Sequence, residues 1–437
     1  MTQSNMLFHK KYQTLLHQLL EIDTVTPMEG GVLSNLEQAH ELFARSAAEL
    51  GFQQVARVIG EDNDSLPLSV KSKYGTCPED FFRNQPSIVL GFGEWCNREQ
   101  TIMFNFHMDT VGPVLPVSEQ DGKLKGRGVI DNKGPGVAVL AAVAQWLKNR
   151  PDSDNTGVLI QVVGGEEGGA MGTYGTKLLF EQGFYGALNL FVIPSEGRYF
   201  DCSTTSMTVE VSVDGQGSTD DSPASAHNAT AILSSMVVSL SKTLAPRMDA
   251  IDVKMTISGL HTGEMHNRVY GTGRLLINFA YHSQVAGRKV EQLFSEAFEQ
   301  ARLDFKDEFK SLNLFKLSAE ELDEVLSFRW LKKGLPVLSN RSETYERMLS
   351  HAGVERHLNS ERTFTCDAMW GQRHDCYSIM YGPGSLELNG AHTDQEEIFI
   401  QDLETYSQSI FNLLNQFSEQ SAQNHSKEIF QPMKAKA

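Results

Sequence analysis

Apolar residues in the first half of the chain follow two patterns, helical spacing in some segments and continuous runs in others. In 8–21 and 35–50 they recur at helical spacing, which predicts two amphipathic helices. Continuous apolar runs, most of them followed by polar residues, predict buried strands at 87–92, 101–106, 158–163 and 190–193. The small, apolar stretch from Gly134 to Leu147 predicts a helix packed closely on a sheet. Strands that alternate with helices in this way predict an α/β sheet whose functional site lies at the strand ends.

The pattern changes after about residue 205. Alternation of apolar and polar residues predicts half-exposed strands at 207–213, 252–257 and 273–281, and helical spacing predicts helices at 229–240 and 290–305. This segment has hydrophobic faces of its own, so we predict an α+β domain at 206–318, inserted into an α/β domain formed by 1–205 and 319–437. The α/β domain should contain a central mixed sheet. The stretch 306–340 is ambiguous, and the helix–strand pattern resumes at Glu343.

Composition limits the class of protein. A chain of 437 residues exceeds one ordinary core, which favours two domains. The formal net charge of −17 argues against nucleic acid or an anionic membrane as a partner. No apolar stretch is long enough to span a bilayer, and the first residues lack the layout of a signal peptide. Five cysteines form no CxxC pair, as expected of reduced thiols, so we predict a cytoplasmic protein.

Acidic and histidine residues form five clusters along the chain, most of them at or just after an apolar run. The clusters contain His107 and Asp109, Asp131, Glu166 and Glu167, Glu196, and His392. Such groups are costly to bury unless they are paired or bound to metal. Two histidines with several carboxylates suit a pair of divalent, zinc-like ions and leave one carboxylate to act as a base. The clusters therefore predict a metal-dependent hydrolase.

The order of these motifs resembles the zinc-dependent family of aminoacylases, glutamate carboxypeptidase, acetylornithine deacetylase and succinyl-diaminopimelate desuccinylase. The resemblance is most specific in HMDTV, GRGVIDNKG, GGEEGG and the Gly-Pro-Gly … Ala-His-Thr ending. It implies a catalytic α/β domain with a dinuclear metal site and an inserted lid that often mediates dimerisation. The implied reaction is hydrolysis of an amide C–N bond in a small N-acyl amino acid or short peptide. The implied cofactors are two divalent metal ions, zinc above all, with cobalt or manganese as alternatives.

The resemblance also implies a role for each clustered residue. One ion would be held by His107, Asp131 and Glu196, and the other by Asp131, Glu167 and His392. Glu166 would be the general base, which passes a proton from water to the leaving nitrogen. Asp109 would hold the second ring nitrogen of His107 and so fix its tautomer. The family more often has proline after the glutamate where Gly197 stands here.

Each of these residues also has an ordinary structural alternative. Asp109 could cap a helix or close a turn. The two adjacent glutamates could be surface acids of a solvated loop. His392, taken alone, could be a structural histidine before a helix.

Substrate contacts in the lid depart from the family pattern. Asn267 matches an asparagine that contacts substrate, but Thr219 stands where many members carry an oxyanion-stabilising histidine that reaches the active site of a partner subunit. Ala280 replaces an expected arginine, and Arg274 or Arg268 could take its place. Histidines that could substitute for the lost one are His227, His261 and His266. Further candidates for anion contacts are Lys133, Arg127 and Arg373.

Two rival functions stay open at this point. One is a catalytically silent relative that binds metal and a ligand, which the altered lid favours and the complete set of ligands with its base disfavours. The other is a hydrolase of a carbamoyl or ureido C–N bond. The expected partner is a small-molecule substrate, and a homodimer through the lid is possible.

Overall fold

The computed structural model describes residues 6–29, 34–60, 78–151, 154–358 and 363–429. Its described residues fall into two compact units. The first contains the chain up to Ser203 and from Leu338 onward, and the second is Thr204–Val337. Among the described residues, every helix is too short or too polar to cross a membrane.

Fifteen strands are present in the described residues. They are β1 (Gln53–Val58), β2 (Ser87–Phe92), β3 (Thr101–His107), β4 (Ser118–Gln120), β5 (Lys123–Lys125), β6 (Gly157–Val163), β7 (Leu188–Phe191), β8 (Thr205–Asp214), β9 (Ser218–Thr219), β10 (Lys254–His261), β11 (Arg268–Val269), β12 (Thr272–Tyr281), β13 (Leu326–Lys332), β14 (Tyr377–Met380) and β15 (Glu397–Phe399).

The same residues form eleven α-helices. They are α1 (Lys10–Glu21), α2 (Leu36–Ala48), α3 (Pro78–Arg83), α4 (Lys133–Asn149), α5 (Thr176–Glu181), α6 (Ala229–Asp249), α7 (Gln284–Phe309), α8 (Lys316–Glu320), α9 (Leu322–Val325), α10 (Glu343–His351) and α11 (Ile400–Ile429). Short 3₁₀ helices lie at Pro27–Glu29, Arg98–Gln100, Pro223–Ser225, Asn313–Phe315 and Asp367–Gly371.

A six-stranded mixed sheet forms the centre of the first unit. Its strand order is β1-β2-β6-β3-β7-β14. The four strands β6, β3, β7 and β14 run parallel, β2 pairs antiparallel with β6, and β1 pairs antiparallel with β2. The mixed α/β fold predicted from the sequence is confirmed. Because the carboxyl ends of parallel strands lie at one edge, the polar residues that follow β3, β6, β7 and β14 are directed to the same edge.

Helix α4 packs unusually closely against the sheet. A Cβ atom placed on Gly136 would lie 2.5 Å from ring atoms of Phe106 on β3. Glycine at this position therefore lets the helix backbone approach the strand. On the same helix, the carbonyl of Ala138 accepts a hydrogen bond of 3.0 Å from the Ser407 hydroxyl of α11. The small residues that predicted this helix are thus the ones that permit its close packing.

The second unit is an antiparallel sheet packed with the helices α6 and α7. Its strand order is β10-β12-β8-β13, and residues of both helices share a hydrophobic core with the sheet. The unit extends to Val337, whereas the sequence predicted an end at residue 318. Strand β13 accounts for the difference, because it pairs antiparallel with β8, with Phe328 opposite Val211. This strand lies inside the stretch 306–340 that was ambiguous in the sequence.

A small sheet of three strands, in the order β15-β5-β4, belongs to the first unit. Strand β15 pairs antiparallel with β5, and Ile398 lies opposite the buried Leu124. This pairing joins the segment just before Asp131 to the segment just after His392. Two residues far apart in sequence are thereby brought to the same edge of the central sheet.

Candidate metal centre

The carboxylate of Asp131 lies between two imidazoles. Its Oδ1 is 3.0 Å from Nε2 of His107, and its Oδ2 is 3.0 Å from Nε2 of His392. His107 is the last residue of β3 and is almost completely buried, as is Asp131. A carboxylate that presents one oxygen to each imidazole has the arrangement that a ligand shared by two metal ions requires.

Glu166 and Glu167 follow β6 on a turn of glycines. Oε1 of Glu167 is 3.1 Å from Nε2 of His392. A Cβ atom on the neighbouring Gly168, whose φ is +67°, would lie 2.5 Å from Cβ of Met28, so the turn admits only glycine there. Within the described ranges, two groups of side chains have potential ligand atoms within 4.8 Å of one another: His107 with Glu166 and Glu167, and Asp131 with Glu167 and His392.

Asp109 makes contacts that differ from those implied by the resemblance. Nδ1 of His107 donates a hydrogen bond of 2.8 Å to the backbone carbonyl of Asp109, while the Asp109 carboxylate lies 3.8 Å from that nitrogen. The carboxylate instead accepts hydrogen bonds of 3.1 Å from the backbone N–H groups of both Glu166 and Glu167. Asp109 is fully buried. Its carboxylate therefore holds the glutamate turn, and its backbone orients the histidine ring.

Glu196 lies outside both groups of potential ligands found among the described residues. Its side chain is exposed, its φ is +58°, and its backbone N–H donates to the carbonyl of Gly384 at 2.6 Å. The backbone contact brings the segment after β7 next to the glycine turn after β14. The role of Glu196 as a metal ligand stays a prediction.

Asp367 is a buried acidic residue that the sequence analysis missed. It begins a 3₁₀ helix, is 2% exposed, and accepts a hydrogen bond of 2.5 Å from the Thr176 hydroxyl. Thr176 in turn accepts from the Asn105 side chain of β3 at 3.0 Å. The charge of Asp367 contributes to raising the pKa of Glu166. The segment before Asp367 has no long apolar run, so the signal that identified the other acids is missing here.

The acidic groups of this cluster have shifted pKa values. Burial raises the pKa of Asp109 and Glu167, and it raises the pKa of Glu166 well above its usual range. Burial likewise raises the pKa of Asp367 to about 6. For Asp131 burial acts in the same direction, but hydrogen bonds from both histidines outweigh it and lower the pKa. Most of these carboxyl groups therefore resist ionisation in the absence of added positive charge.

The two histidines have pKa values shifted in the opposite sense. Burial disfavours the charged ring of His107, but its hydrogen bond to Asp131 prevails and raises the pKa well above the usual value. Hydrogen bonds to Asp131 and Glu167 raise the pKa of His392 to about 10. Both rings therefore carry a proton near neutral pH while no metal is bound.

This set of side chains fits a pair of divalent metal ions. Imidazole and carboxylate ligands of zinc lie at about 2.0–2.2 Å from the ion, so neighbouring ligand atoms of a tetrahedral site are about 3.3–3.6 Å apart. The spacings of 3.0 and 3.1 Å around Asp131, Glu167 and His392 differ from this by only a few tenths of an ångström. Ions there would also offset the surplus of buried carboxyl groups.

Three basic residues proposed for anion contacts are engaged in other interactions. Lys133 donates from Nζ to the carbonyls of Leu19 and Ile22, at 2.9 and 3.0 Å. The guanidinium group of Arg373 lies over the ring of Tyr185. Arg127 forms a buried ion pair, described below. These contacts account for Lys133 and Arg127 without a substrate anion, whereas Nε of Arg373 is buried and has no hydrogen-bond partner among the described residues.

In the second unit, the predicted substrate residues lie on strands or beside them. Thr219 is exposed on β9, which pairs with β11, and exposed Asn267 immediately precedes β11. Arg274 lies on β12 and is half-buried. Both ring nitrogens of His227 are engaged: Nδ1 accepts from the Gln216 N–H at 3.0 Å, and Nε2 lies 3.0 Å from Glu321. His227 is therefore a structural residue of this unit, whereas His261 and His266 are exposed.

Comparison with known proteins decides the family. The model of Peptidase family M20/M25/M40 matches residues 103–416, which is most of the chain. The chain belongs to this family. The resemblance predicted from the sequence motifs is thereby confirmed.

Individual relatives of the M20 family are more distant. The chain is 28% identical over 180 residues to a succinyl-diaminopimelate desuccinylase of Rickettsia typhi, and the match covers 39% of each protein. The chain thus spans about two fifths of the length of the curated relatives it matches.

Solved structures of the family share the fold over almost the whole chain. An M20 family metallo-carboxypeptidase, Sso-CP2 from Sulfolobus solfataricus, has a TM-score of 0.65 at 12% identity, covering 94% of this chain and 99% of that one. A dinuclear metal-binding M20 peptidase, YXEP from Bacillus subtilis, has a TM-score of 0.57 at 13% identity, covering 93% and 97%.

We predict that metal binding releases protons. Near pH 7 the rings of His107 and His392 are protonated in the metal-free protein, because their pKa values are raised, and a metal requires the neutral ring. Titration calorimetry with zinc at pH 7, in buffers of different ionisation enthalpy, should detect release of about two protons. Affinity should increase with pH until the pKa of His392, at about 10, is passed. Zinc binding without proton release would contradict these ionisation states.

We also predict that Asp109 acts mainly as an acceptor for the glutamate turn. Asp109→Ala leaves two buried N–H groups unpaired, and metal affinity should fall about 10–100-fold. Asp109→Asn keeps an oxygen for both N–H groups and should retain most of that affinity. Competition with a chromophoric chelator measures the metal affinity of both variants. If the asparagine variant binds metal as weakly as the alanine variant, the negative charge matters more than the hydrogen bonds.

Proposed function

We propose that this protein is a dinuclear-metal hydrolase that cleaves an amide C–N bond in a small N-acyl amino acid or short peptide. One observation carries the proposal: the buried Asp131 presents its two oxygens to two histidines, next to a fixed pair of glutamates. Membership of a peptidase family supports hydrolysis, and the match to a desuccinylase supports an N-acyl substrate.

Mixed ligation by histidine and carboxylate supports zinc as the resident metal, with cobalt and manganese as alternatives. The proposed ligands are His107, Asp131 and Glu196 for one ion and Asp131, Glu167 and His392 for the other. Metal ions bound there would activate a water molecule and polarise the scissile carbonyl.

Glu166 is the proposed general base. It lies within 4.8 Å of potential ligand atoms of His107 and Glu167, and it is not needed in either proposed ligand set. Its pKa is raised well above the usual range, mainly by burial and then by neighbouring acids. Such a carboxyl group holds a proton taken from water and delivers it to the leaving nitrogen. Asp109 positions it through the backbone of the glutamate turn.

Substrate recognition is proposed to involve Asn267, Thr219 and Arg274. Thr219 offers a neutral hydroxyl where many family members have a histidine, and His227 is unsuited to replace it because both its ring nitrogens are engaged. These differences support a substrate that differs from those of relatives with the usual lid.

The altered lid also supports the rival function, a silent relative that binds metal and a ligand. A protein that only binds has no need of a base, so the half-buried Glu166 favours catalysis over this rival. Cleavage of a carbamoyl or ureido bond would use the same ligands and is distinguished by substrate alone.

A homodimer through the second unit is also proposed. In the part of the chain that the structure describes, β10 is an edge strand of its sheet, and it exposes Ile257 and Leu260. Light scattering coupled to size exclusion should give twice the mass of 48.6 kDa. A charged substitution, Leu260→Lys, should yield the monomer, and a monomeric wild type would contradict the proposal.

The test of the function is metal-dependent turnover. The metal-free protein should gain activity on N-acetyl, N-succinyl or N-carbamoyl amino acids or dipeptides as zinc, cobalt or manganese is added. Glu166→Gln should lower kcat by about 10²–10⁴-fold with metal stoichiometry unchanged, because the isosteric amide accepts no proton. Glu167→Gln is the matched variant, and it should lose metal instead. Stoichiometric metal binding without turnover on any substrate class would favour the silent relative.

A further inference from the structure

Arg127 and Glu396 form an almost completely buried ion pair between two loops of the first unit. Nη1 of Arg127 lies 2.5 Å from Oε2 of Glu396, and the two side chains are 3% and 1% exposed. Burying two charges costs desolvation free energy, and the attraction between them offsets that cost only where further hydrogen bonds satisfy the remaining polar atoms of the pair. The partners of those atoms show what the pair connects.

The second carboxylate oxygen of Glu396 contacts the loop that leads to Asp131. Its Oε1 accepts hydrogen bonds from the backbone N–H groups of Gly128 at 2.9 Å and Ile130 at 3.2 Å. Ile130 directly precedes Asp131. One carboxylate thus fixes the backbone immediately before the residue that lies between the two histidines.

The guanidinium group of Arg127 contacts the loop that carries His392. Its Nη2 donates to the carbonyl of Thr393 at 2.9 Å, and its Nε donates to the carbonyl of Pro113 at 3.1 Å. Thr393 directly follows His392. The pair therefore connects the residue before one proposed ligand to the residue after the other.

The neighbouring strands alone do not reach these ligands. The ladder between β5 and β15 ends with Lys125 opposite Glu397, and one backbone bond of 3.3 Å, from Gly126 to Glu396, follows it. Among the described residues, no further backbone hydrogen bond joins 127–131 to 391–395. Within the described structure, Arg127 and Glu396 supply the side-chain bonds that continue the connection.

We propose that Arg127 and Glu396 are positioning residues that set the distance between Asp131 and His392 and so determine the affinity of the metal site these two share with Glu167. The inference rests on the proposed function, because that function supplies the metal. Neither residue touches the proposed ligand side chains through a hydrogen bond in the structure. Their effect passes through the backbones of Ile130 and Thr393.

Two variants test this role. Arg127→Lys keeps the charge but cannot reproduce all three contacts of the guanidinium group. The double variant Arg127→Met with Glu396→Met removes both charges, which proteins often tolerate with little loss of stability. The matched control is Lys123→Gln. It removes a more exposed ion pair, between Lys123 of β5 and Glu397 of β15, close to Arg127 and Glu396 in the sequence. Circular dichroism and thermal unfolding select variants that retain the fold.

Competitive titration with Co²⁺ and with Zn²⁺ should separate two binding steps. In folded Arg127→Lys or in the double variant, one step should weaken about 10–100-fold, and the other, whose site shares Asp131 but not His392, should weaken by a smaller factor. The control should match the wild type, and excess metal should restore kcat. Amide hydrogen exchange of Gly128 and Ile130 should be faster in the double variant, even without metal.

Unchanged metal affinity and unchanged exchange in a folded variant would overturn the inference while leaving the proposed function intact. Equal weakening of both steps, or the same loss in Lys123→Gln, would also overturn it. A wild-type protein that binds neither ion would instead overturn the proposed function and the metal-binding role argued here.

Discussion

The surplus of buried acid over buried base is the constraint on which this site depends. Five carboxyl groups lie together with two imidazoles: Asp109, Asp131, Glu166, Glu167 and Asp367. Burial raises the pKa of four of them, so the protein stabilises their protonated forms until positive charge arrives. Removing carboxylates from water is costly, and a purely structural cluster would contain fewer of them. Divalent cations are the simplest way to offset this cost.

The fold brings these groups together because four parallel strands end at one edge. His107 ends β3, the glutamate turn follows β6, and the chain reaches His392 after β14. Hydrogen bonds connect each of these segments to another: Asp109 holds the glutamate turn, and Arg127 with Glu396 holds the loops around Asp131 and His392.

The buried strands of the central sheet and most of the clustered acids could be predicted from the sequence. Buried strands require apolar runs, and most of the proposed catalytic and metal-binding residues lie at or just after those runs. Three features could not be predicted. Asp367 follows no apolar run. Strand β13 pairs with β8, which lies more than a hundred residues earlier in the chain. The hydrogen-bond acceptor for the His107 ring is a backbone carbonyl. Each depends on tertiary contacts, which local periodicity does not encode.

Glu196 marks the limit of reasoning from motif positions. Its place in the sequence matches a family ligand, but its side chain is exposed and its neighbour is Gly197, where a more rigid proline is usual. The φ values are +58° at Glu196 and +67° at Gly197, and proline cannot adopt a positive φ, so this turn differs from the one that a proline would form.

The raised pKa values of the two histidines imply that protons take the place of metal ions when no metal is bound. A proton shared between Asp131 and each histidine offsets part of the charge that two cations would neutralise. Loading is then an exchange of protons for metal in a nearly preformed site, because the ligand atoms need to separate by only a few tenths of an ångström. The hydrogen bonds that hold the loops in the metal-free state are those that must persist when the ions are bound. The hydrogen bonds made by Asp109, Arg127 and Glu396 therefore form without the metal. The affinity for metal reflects how well these bonds fix the distances between the ligands.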